Sequence, residues 1–444
     1  MTSRSPADEA DAVVRAVLDD FTSRRHLGVV VDSPPGAGKS TLVVRSAIDL
    51  AAAGECVMVV AQTNAQADDL VARMTLRAPD VIIGRLCGKD HLAIARALHL
   101  SRSNVLVRDK LTDLGDAPIV VAPAAKWDFV PDVRMPWAII DEAYQMRSDM
   151  LLRLAPRFER ALFVGDPGQL DPFTVIDNDR WTGLRWDPMQ SAVAAMLRSN
   201  SHLPQHQLPY SWRLSTRAAP PVSDAFYPFT PFEPGTTADQ RRLEFSTRGL
   251  GGGAVDETLD VAARSGWALH ELPARHTVRT DAEAVDATAR LALRVLERGA
   301  TAWSETEPGG ATVTAERIAV GAAHRDQVDA VRERLRHMAG GDRITVDTAN
   351  RLQGSEYDFV VVLHPLSGRR DATSFHLEAG RLCVLTSRHR QACVVVARAG
   401  IQALLDSHPS SEPMHIDVPA KFPDGWEANH AMLAHLEPFR VRAA

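Results

Sequence analysis

Gly28-Val-Val-Val-Asp-Ser-Pro-Pro-Gly-Ala-Gly-Lys-Ser40 reads as a buried β-strand, a glycine-containing loop and the first turn of a helix. A loop of this kind aims backbone N–H groups at phosphate oxygens, and the helix N-terminus adds a field that favours negative charge. The residues expected to cradle a nucleotide are Pro35, Gly36, Ala37, Gly38, Lys39, Ser40 and Thr41. In this reading Lys39 reaches the β- and γ-phosphates and the Ser40 hydroxyl holds Mg²⁺. Ser33 stands where such loops usually carry their first glycine, a small departure because Gly36, Gly38, Lys39 and Ser40 are in place.

Two later segments complete a phosphate site. Trp137-Ala-Ile-Ile-Asp-Glu-Ala-Tyr-Gln145 is a short buried strand that ends in two carboxylates. Asp141 at the strand tip is suited to the Mg²⁺ shell, and Glu142 to orienting and deprotonating an attacking water. Ala161-Leu-Phe-Val-Gly-Asp-Pro-Gly-Gln-Leu-Asp-Pro172 is a further strand with a polar turn. Gln169 in that turn is placed to sense the γ-phosphate and to couple it to a second domain.

Apolar β-rich runs alternate with helical patterns along the whole chain, which predicts an α/β fold with parallel sheets. Strands are expected at Gly28–Val31, Cys56–Ala61, Ile119–Ala122, Trp137–Ile140 and Ala161–Val164. A second series runs through Ala268–Glu271, Ile318–Gly321, Ile344–Asp347, Phe359–Leu363 and Ala392–Ala397. Two series imply two similar domains, at 1–205 and 206–405, followed by a tail at 406–444. Helical periodicity marks Asp281–Arg298 and Arg325–Met338. The Gly-, Pro- and Thr-rich stretch 231–266 reads as a long surface loop or small insertion.

Composition sets bounds. The 444 residues include 45% hydrophobic and 24% charged residues, as in ordinary globular chains and not in disordered ones. No apolar run reaches the roughly 18 residues that span a bilayer. Nor does the stretch from Met1 to Phe21 have a signal-peptide core. A soluble, cytoplasmic protein with no membrane partner is the expectation. Cys56, Cys87, Cys383 and Cys393 form no CxxC pair, so they are read as small buried hydrophobes. The net charge of −6 excludes a chain that is basic throughout but leaves room for a basic cleft. Lysine stands only at 39, 89, 110, 126 and 421, so arginine supplies most of the positive charge.

The order of these motifs resembles superfamily 1 helicases, in particular the subgroup of the nonsense-mediated-decay helicase. Ser33–Ser40 looks like the first motif, Asp141-Glu-Ala-Tyr-Gln145 like the DEAxQ form of the second, and Gly165-Asp-Pro-Gly-Gln-Leu-Asp-Pro172 like GDxxQLxP. Tyr210-Ser-Trp-Arg-Leu214 resembles the fourth, in which an aromatic stacks on adenine and an arginine meets the γ-phosphate; these fall on Trp212 and Arg213. Val346–Asp358 looks like the fifth, with Gln353-Gly-Ser-Glu356 at its centre and Glu356 on the nucleotide. Arg381-Leu-Cys-Val-Leu-Thr-Ser-Arg-His-Arg390 looks like the sixth, with its arginine finger on Arg388. The resemblance spans about residues 28 to 398 and implies two tandem RecA-like domains, with ATP and Mg²⁺ as cofactors. No glutamine precedes the loop within residues 1–40, so the residue that selects adenine in relatives is missing.

The resemblance also implies a single strand of DNA or RNA as partner. Thr63 and Asn64 follow a strand and suit phosphate and sugar hydrogen bonds. A helix N-cap explains the same pair equally well. In the second half, Arg325, Thr348 and His324 are candidates, His324 and Arg325 within Ile318-Ala-Val-Gly-Ala-Ala-His-Arg-Asp-Gln327, which resembles an element that touches nucleic acid. The function expected is an ATP-dependent helicase or translocase, monomeric, moving 5′-to-3′. Two alternatives are an ATPase that remodels protein–nucleic-acid complexes without unwinding, and a nucleotide-gated regulatory module.

Overall fold

The computed structural model describes residues 5–170, 172, 190–238, 240–249, 253–408 and 424–443. The chain divides into two compact units. The first lies within 1–167 and 171–209, and the second within 168–170, 210–412 and 420–444.

Unit one is built on an eight-stranded sheet. Its strands are β1 (Gly28–Asp32), β2 (Val57–Ala61), β3 (Ile83–Leu86), β4 (Val105–Arg108), β5 (Ile119–Pro123), β6 (Met135–Asp141), β7 (Phe158–Gly165) and β8 (Gln205–Gln207). They lie in the order β4-β3-β5-β2-β6-β7-β1-β8, and every pairing is parallel. The central strands are Val-, Ile- and Ala-rich and buried residue after residue, as a sheet covered on both faces requires. Helices Lys39–Ala52 and Asn64–Arg77 bury Leu42, Val43, Leu70 and Val71 against one face. Helix Pro6–Thr22 begins with a Ser5 capping box and a proline in its first turn, and packs Val17 and Phe21 into the same core.

Unit two continues the numbering with β9 (Tyr210–Ser211), β10 (Glu233–Pro234), β11 (Arg242–Phe245), β12 (Trp267–Leu272), β13 (Ala300–Ser304), β14 (Glu307–Thr312), β15 (Ile318–Ala322), β16 (Thr345–Thr348), β17 (Tyr357–Leu363), β18 (His389–Arg398) and β19 (Arg440–Arg442). Six of them form a parallel sheet in the order β16-β15-β17-β18-β12-β19. Beside it stand a short parallel pair, β10-β9, and an antiparallel sheet, β11-β13-β14. Helix Ala282–Glu297, capped by Asp281, and helix Arg325–Arg336 bury Leu291, Val295, Val328 and Val331 in one core.

All ten expected strands lie in the two parallel sheets, and the fold is α/β with two RecA-like units in tandem. Two stretches differ from expectation. The span 231–266, read as loop or insertion, contains β10, β11 and the 12-residue helix Ala254–Ser265; its residues 239 and 250–252 lie outside the described residues. The stretch read as a tail supplies helix Gly425–Leu436 and β19, which pairs with β12 through Leu269↔Arg440. Its residues 409–423 and 444 lie outside the described ones.

Candidate active site and nucleic-acid contacts

In unit one the chemistry gathers at the carboxyl ends of three adjacent strands, the edge of a parallel sheet where ligands bind. Register aligns them: Asp141 of β6 lies beside Val164 of β7, and Asp32 of β1 beside Gly165 of β7. The loop after β1 is fastened by Ser33 N–H donating to Gly165 O at 2.8 Å and by Ala37 N–H donating to Pro34 O at 3.1 Å. Gly36 and Gly38 have φ of 75° and 92°, a region that side chains disfavour, so the loop's turn is written into these two glycines. The helix starts at Lys39, which leaves the amides of Lys39, Ser40 and Thr41 with no carbonyl four residues back inside it. Amides at such a helix start are suited to phosphate oxygens. Ser40 is half-buried and Thr41 exposed.

Lys39 Nζ donates to Glu142 Oε1 at 2.5 Å. Burial works against its ammonium, but attraction from Glu142, Asp141 and Asp166 outweighs burial and holds its pKa above the usual lysine value. Asp166 was visible in the sequence only as part of a turn; its charge beside Lys39 emerges from the packing of β7 against β1. Glu142 is 5% exposed and sits at φ 52°, a left-handed conformation that is strained for a side-chain-bearing residue. Asp141 is buried, and its Oδ1 meets no hydrogen-bond partner among the described residues. Burial, then the charge of Glu142, raises its carboxyl pKa to about 7. A buried carboxylate oxygen with no partner among the described residues, beside the charges of Glu142 and Lys39, fits a hard divalent cation such as Mg²⁺. Behind the site, Tyr144 donates to Asp32, and burial followed by that carboxylate pushes the phenol pKa well above its usual range.

The same edge carries the expected nucleic-acid residues. Thr63 caps helix Asn64–Arg77: its hydroxyl accepts from Gln66 N–H at 3.2 Å while Gln66 Oε1 accepts from Thr63 N–H. Thus the capping role of Thr63 is realised. Asn64 Oδ1 accepts from Arg85 at 2.9 Å. Arg85 is wholly buried and donates from Nε to Asp68 at 2.7 Å; His91 and His99 also bond Asp68. With its oxygen engaged, Asn64 has its amide NH₂ to offer, a donor suited to phosphate oxygens. This Asp68 hub was not anticipated from the sequence.

In unit two, the segment after β9 holds Trp212 and Arg213. The Trp212 ring lies against Gly235, where an added Cβ would come within 2.5 Å of it. Arg213 is buried; its Nε donates to Glu356 Oε2 at 3.2 Å and a terminal nitrogen donates to Ser387 O at 3.5 Å. Glu356 also pairs with Arg390 at 3.3 Å. Burial works against the Glu356 carboxylate, but Arg213 and Arg390 outweigh it and hold its pKa below the usual range. Arg388 is fully buried, with Nε donating to Val384 O at 3.1 Å and a terminal nitrogen donating to Ser387 Oγ at 2.8 Å. Arg213 and Arg388 therefore both bond Ser387, and Glu356 joins them through Arg213.

Gln169 belongs to unit two, although the strand that leads to it, β7, belongs to unit one. It accepts from Gln353 Nε2 at 2.6 Å. Gly380 lets it in: an added Cβ there would stand 2.5 Å from the Gln169 carbonyl oxygen. Thr348 ends β16 and His324 follows the adjacent strand β15, again at carboxyl ends. Thr348 is half-buried and does not cap the helix that follows it. Arg325 is exposed, whereas His324 bonds His376 at 2.9 Å and stacks on Phe375.

Two family models match the chain, each described as an AAA domain, one over residues 12–175 and the other over 274–400. Each half carries one of the matches. No curated protein matches. Among solved structures the chain is similar to "The structure of PRRSV helicase", with 14% identity and a TM-score of 0.42 over 89% of this chain and 56% of that one. It is also similar to the crystal structure of arterivirus nonstructural protein 10 (helicase), with 13% identity and a TM-score of 0.42 over 88% of this chain and 61% of that one. The complex of that arterivirus helicase with DNA gives 12% identity and a TM-score of 0.42 over 90% and 65%. The chain spans less than two thirds of the length of each. Site assignments therefore rest on the residues and their geometry. Among the described residues no helix is long and apolar enough to cross a membrane.

Proposed function

We propose that the chain is an ATP-dependent motor on single-stranded DNA or RNA, a superfamily 1 helicase or translocase of the nonsense-mediated-decay-helicase type, acting as a monomer in the cytoplasm. The observation that carries the reading is the triad at the loop after β1: Lys39 bonded to Glu142, beside Asp141 with a buried oxygen that has no partner. A triphosphate in the cradle competes for the Lys39 ammonium. As its oxygens take Lys39, Glu142 is released to orient a water and accept its proton. Asp141 and the Ser40 hydroxyl would hold Mg²⁺, which would neutralise phosphate charge. Trp212 stacks on the base, Glu356 and Gln169 read the nucleotide, and Arg213 and Arg388 stabilise charge that develops on the transferring phosphoryl group. Thr63, Asn64, Arg325 and Thr348, at carboxyl ends of strands in both units, supply backbone contacts to the strand. ATP binding and hydrolysis then alternate the grip of the two halves, moving the protein 5′-to-3′.

One observation favours remodelling without unwinding. Among the described residues, the strands outside the two parallel sheets form the small β10-β9 pair and the sheet β11-β13-β14, a slight structure for wedging a duplex apart. Displacement of streptavidin from strands biotinylated at either end, run beside displacement of an annealed strand, separates the readings. Faster release from a 3′ biotin supports 5′-to-3′ movement, and release without strand separation supports remodelling. Equal rates with and without ATP on every substrate would defeat the motor reading.

A further inference from the structure

We infer that Arg241 is a positioning residue for Trp212 and Arg213, which makes the small antiparallel sheet part of the nucleotide machinery. The inference rests on the reading of Arg213 as a γ-phosphate arginine. Arg241 is 4% exposed and immediately precedes β11. Its guanidinium donates to the Arg213 carbonyl and, at 2.5 Å, to the Trp212 carbonyl. The rest of the fork is taken by Glu305, which lies in the turn between β13 and β14 and accepts from Nε at 3.1 Å and from a terminal nitrogen. The sheet around this clamp is itself pinned. Arg242 pairs with Trp303 in the β11–β13 register and lies over its ring at 4.3 Å. Gln391, at the start of β18, donates to the Trp303 carbonyl at 2.8 Å.

Arg213 is thus held by its backbone through Arg241 and by its head through Glu356 and the Ser387 carbonyl. An arginine that stabilises transition-state charge must be in place before the charge develops, because reorganising it during reaction costs rate. A single planar fork that fixes two consecutive carbonyls against a carboxylate does this for the whole aromatic–arginine segment. A sheet that merely decorated the surface would have no need for a buried arginine aimed out of it at two backbone oxygens.

The test is a double-mutant cycle on ATP hydrolysis by the full chain, with variants Arg241→Met, Glu305→Gln and Arg213→Ala and thermal melting beside each. Displacement of this kind costs about 10- to 100-fold in rate. Arg241→Met is expected to lower kcat by that factor, with KM changed less than about threefold. In the Arg213→Ala background the same change should cost nothing further in kcat, because the effect of Arg241 on kcat runs through Arg213. Glu305→Gln, a milder change that keeps the buried arginine, should show the same non-additivity at smaller size and replaces Arg241→Met if that variant melts at assay temperature. Full additivity in the Arg213→Ala background, or an undiminished kcat in folded Arg241→Met, overturns the inference while leaving the motor reading intact. If Arg213→Ala alone keeps full turnover, the reading of Arg213 itself fails, and this inference with it.

Discussion

Asp141 and Glu142 are neighbours in sequence, yet the backbone gives them separate surroundings. Asp141 ends β6 in extended geometry, while Glu142 turns into the left-handed region, at a cost of about 1 kcal/mol, and meets Lys39. Glu142→Gln keeps the charge at the metal position and should bind Mg²⁺-ATP while turnover falls by about 10² or more. Asp141→Asn should weaken Mg²⁺ binding itself. Equilibrium nucleotide titration with and without Mg²⁺ checks the division, and identical behaviour of the two variants contradicts it. The raised pKa of Asp141, about 7, adds a pH dependence. An acid whose folded pKa lies above its unfolded value stabilises the fold fully below the unfolded pKa and loses that contribution as pH rises through the folded one. Mg²⁺ requires the anion, so the rise in Tm on adding Mg²⁺ should be small near about pH 6 and grow toward about pH 8. A Tm shift independent of pH across that window would place the metal elsewhere.

At the scale of elements, the ten expected strands were legible because long Val- and Ile-rich runs bounded by polar turns admit few other readings. β3 and β4 were not, since Gly84 and Arg85 break the apolar run of β3 and its charge looks out of place in a buried strand. Only tertiary structure supplies the reason it is tolerated, namely Asp68 from the helix Asn64–Arg77. Burial works against the Asp68 carboxylate, but bonds from His99, Arg85 and His91 outweigh it and hold its pKa far below the usual range. Removing one partner of such a buried pair leaves an uncompensated charge, so Asp68→Ala should destabilise unit one by about 3–5 kcal/mol. Urea unfolding followed by a unit-one probe such as Trp137 measures it, and a loss under about 1 kcal/mol would show the hub to be dispensable. Helix Ala254–Ser265 escaped notice for a different reason. Its glycine-rich approach and short apolar stripe of Leu259 and Ala262 resemble a loop until Asp256 is seen paired with Arg294.

At the scale of the whole molecule, the candidate residues divide between two units. Ser40, Lys39, Asp141 and Glu142 belong to the first; Gln169, Trp212, Arg213, Glu356 and Arg388 belong to the second. The motif residues stand out in the sequence because phosphate chemistry asks for particular residue types at particular spacings. The supporting residues, Arg241, Glu305 and Asp166, do not, because their partners lie far away along the chain and carry no spacing signature. In the proposed motor, residues of both units serve hydrolysis and a bound single strand controls its rate. The rate of ATP hydrolysis, measured against panels of single- and double-stranded DNA and RNA at rising salt, tests this most directly. The account predicts that at least one single strand raises the rate severalfold, that its half-saturating concentration climbs with salt as backbone contacts release counterions, and that Lys39→Ala is inactive under every condition. A wild-type rate unchanged by every polymer, or a folded Lys39→Ala protein with normal turnover, would contradict it.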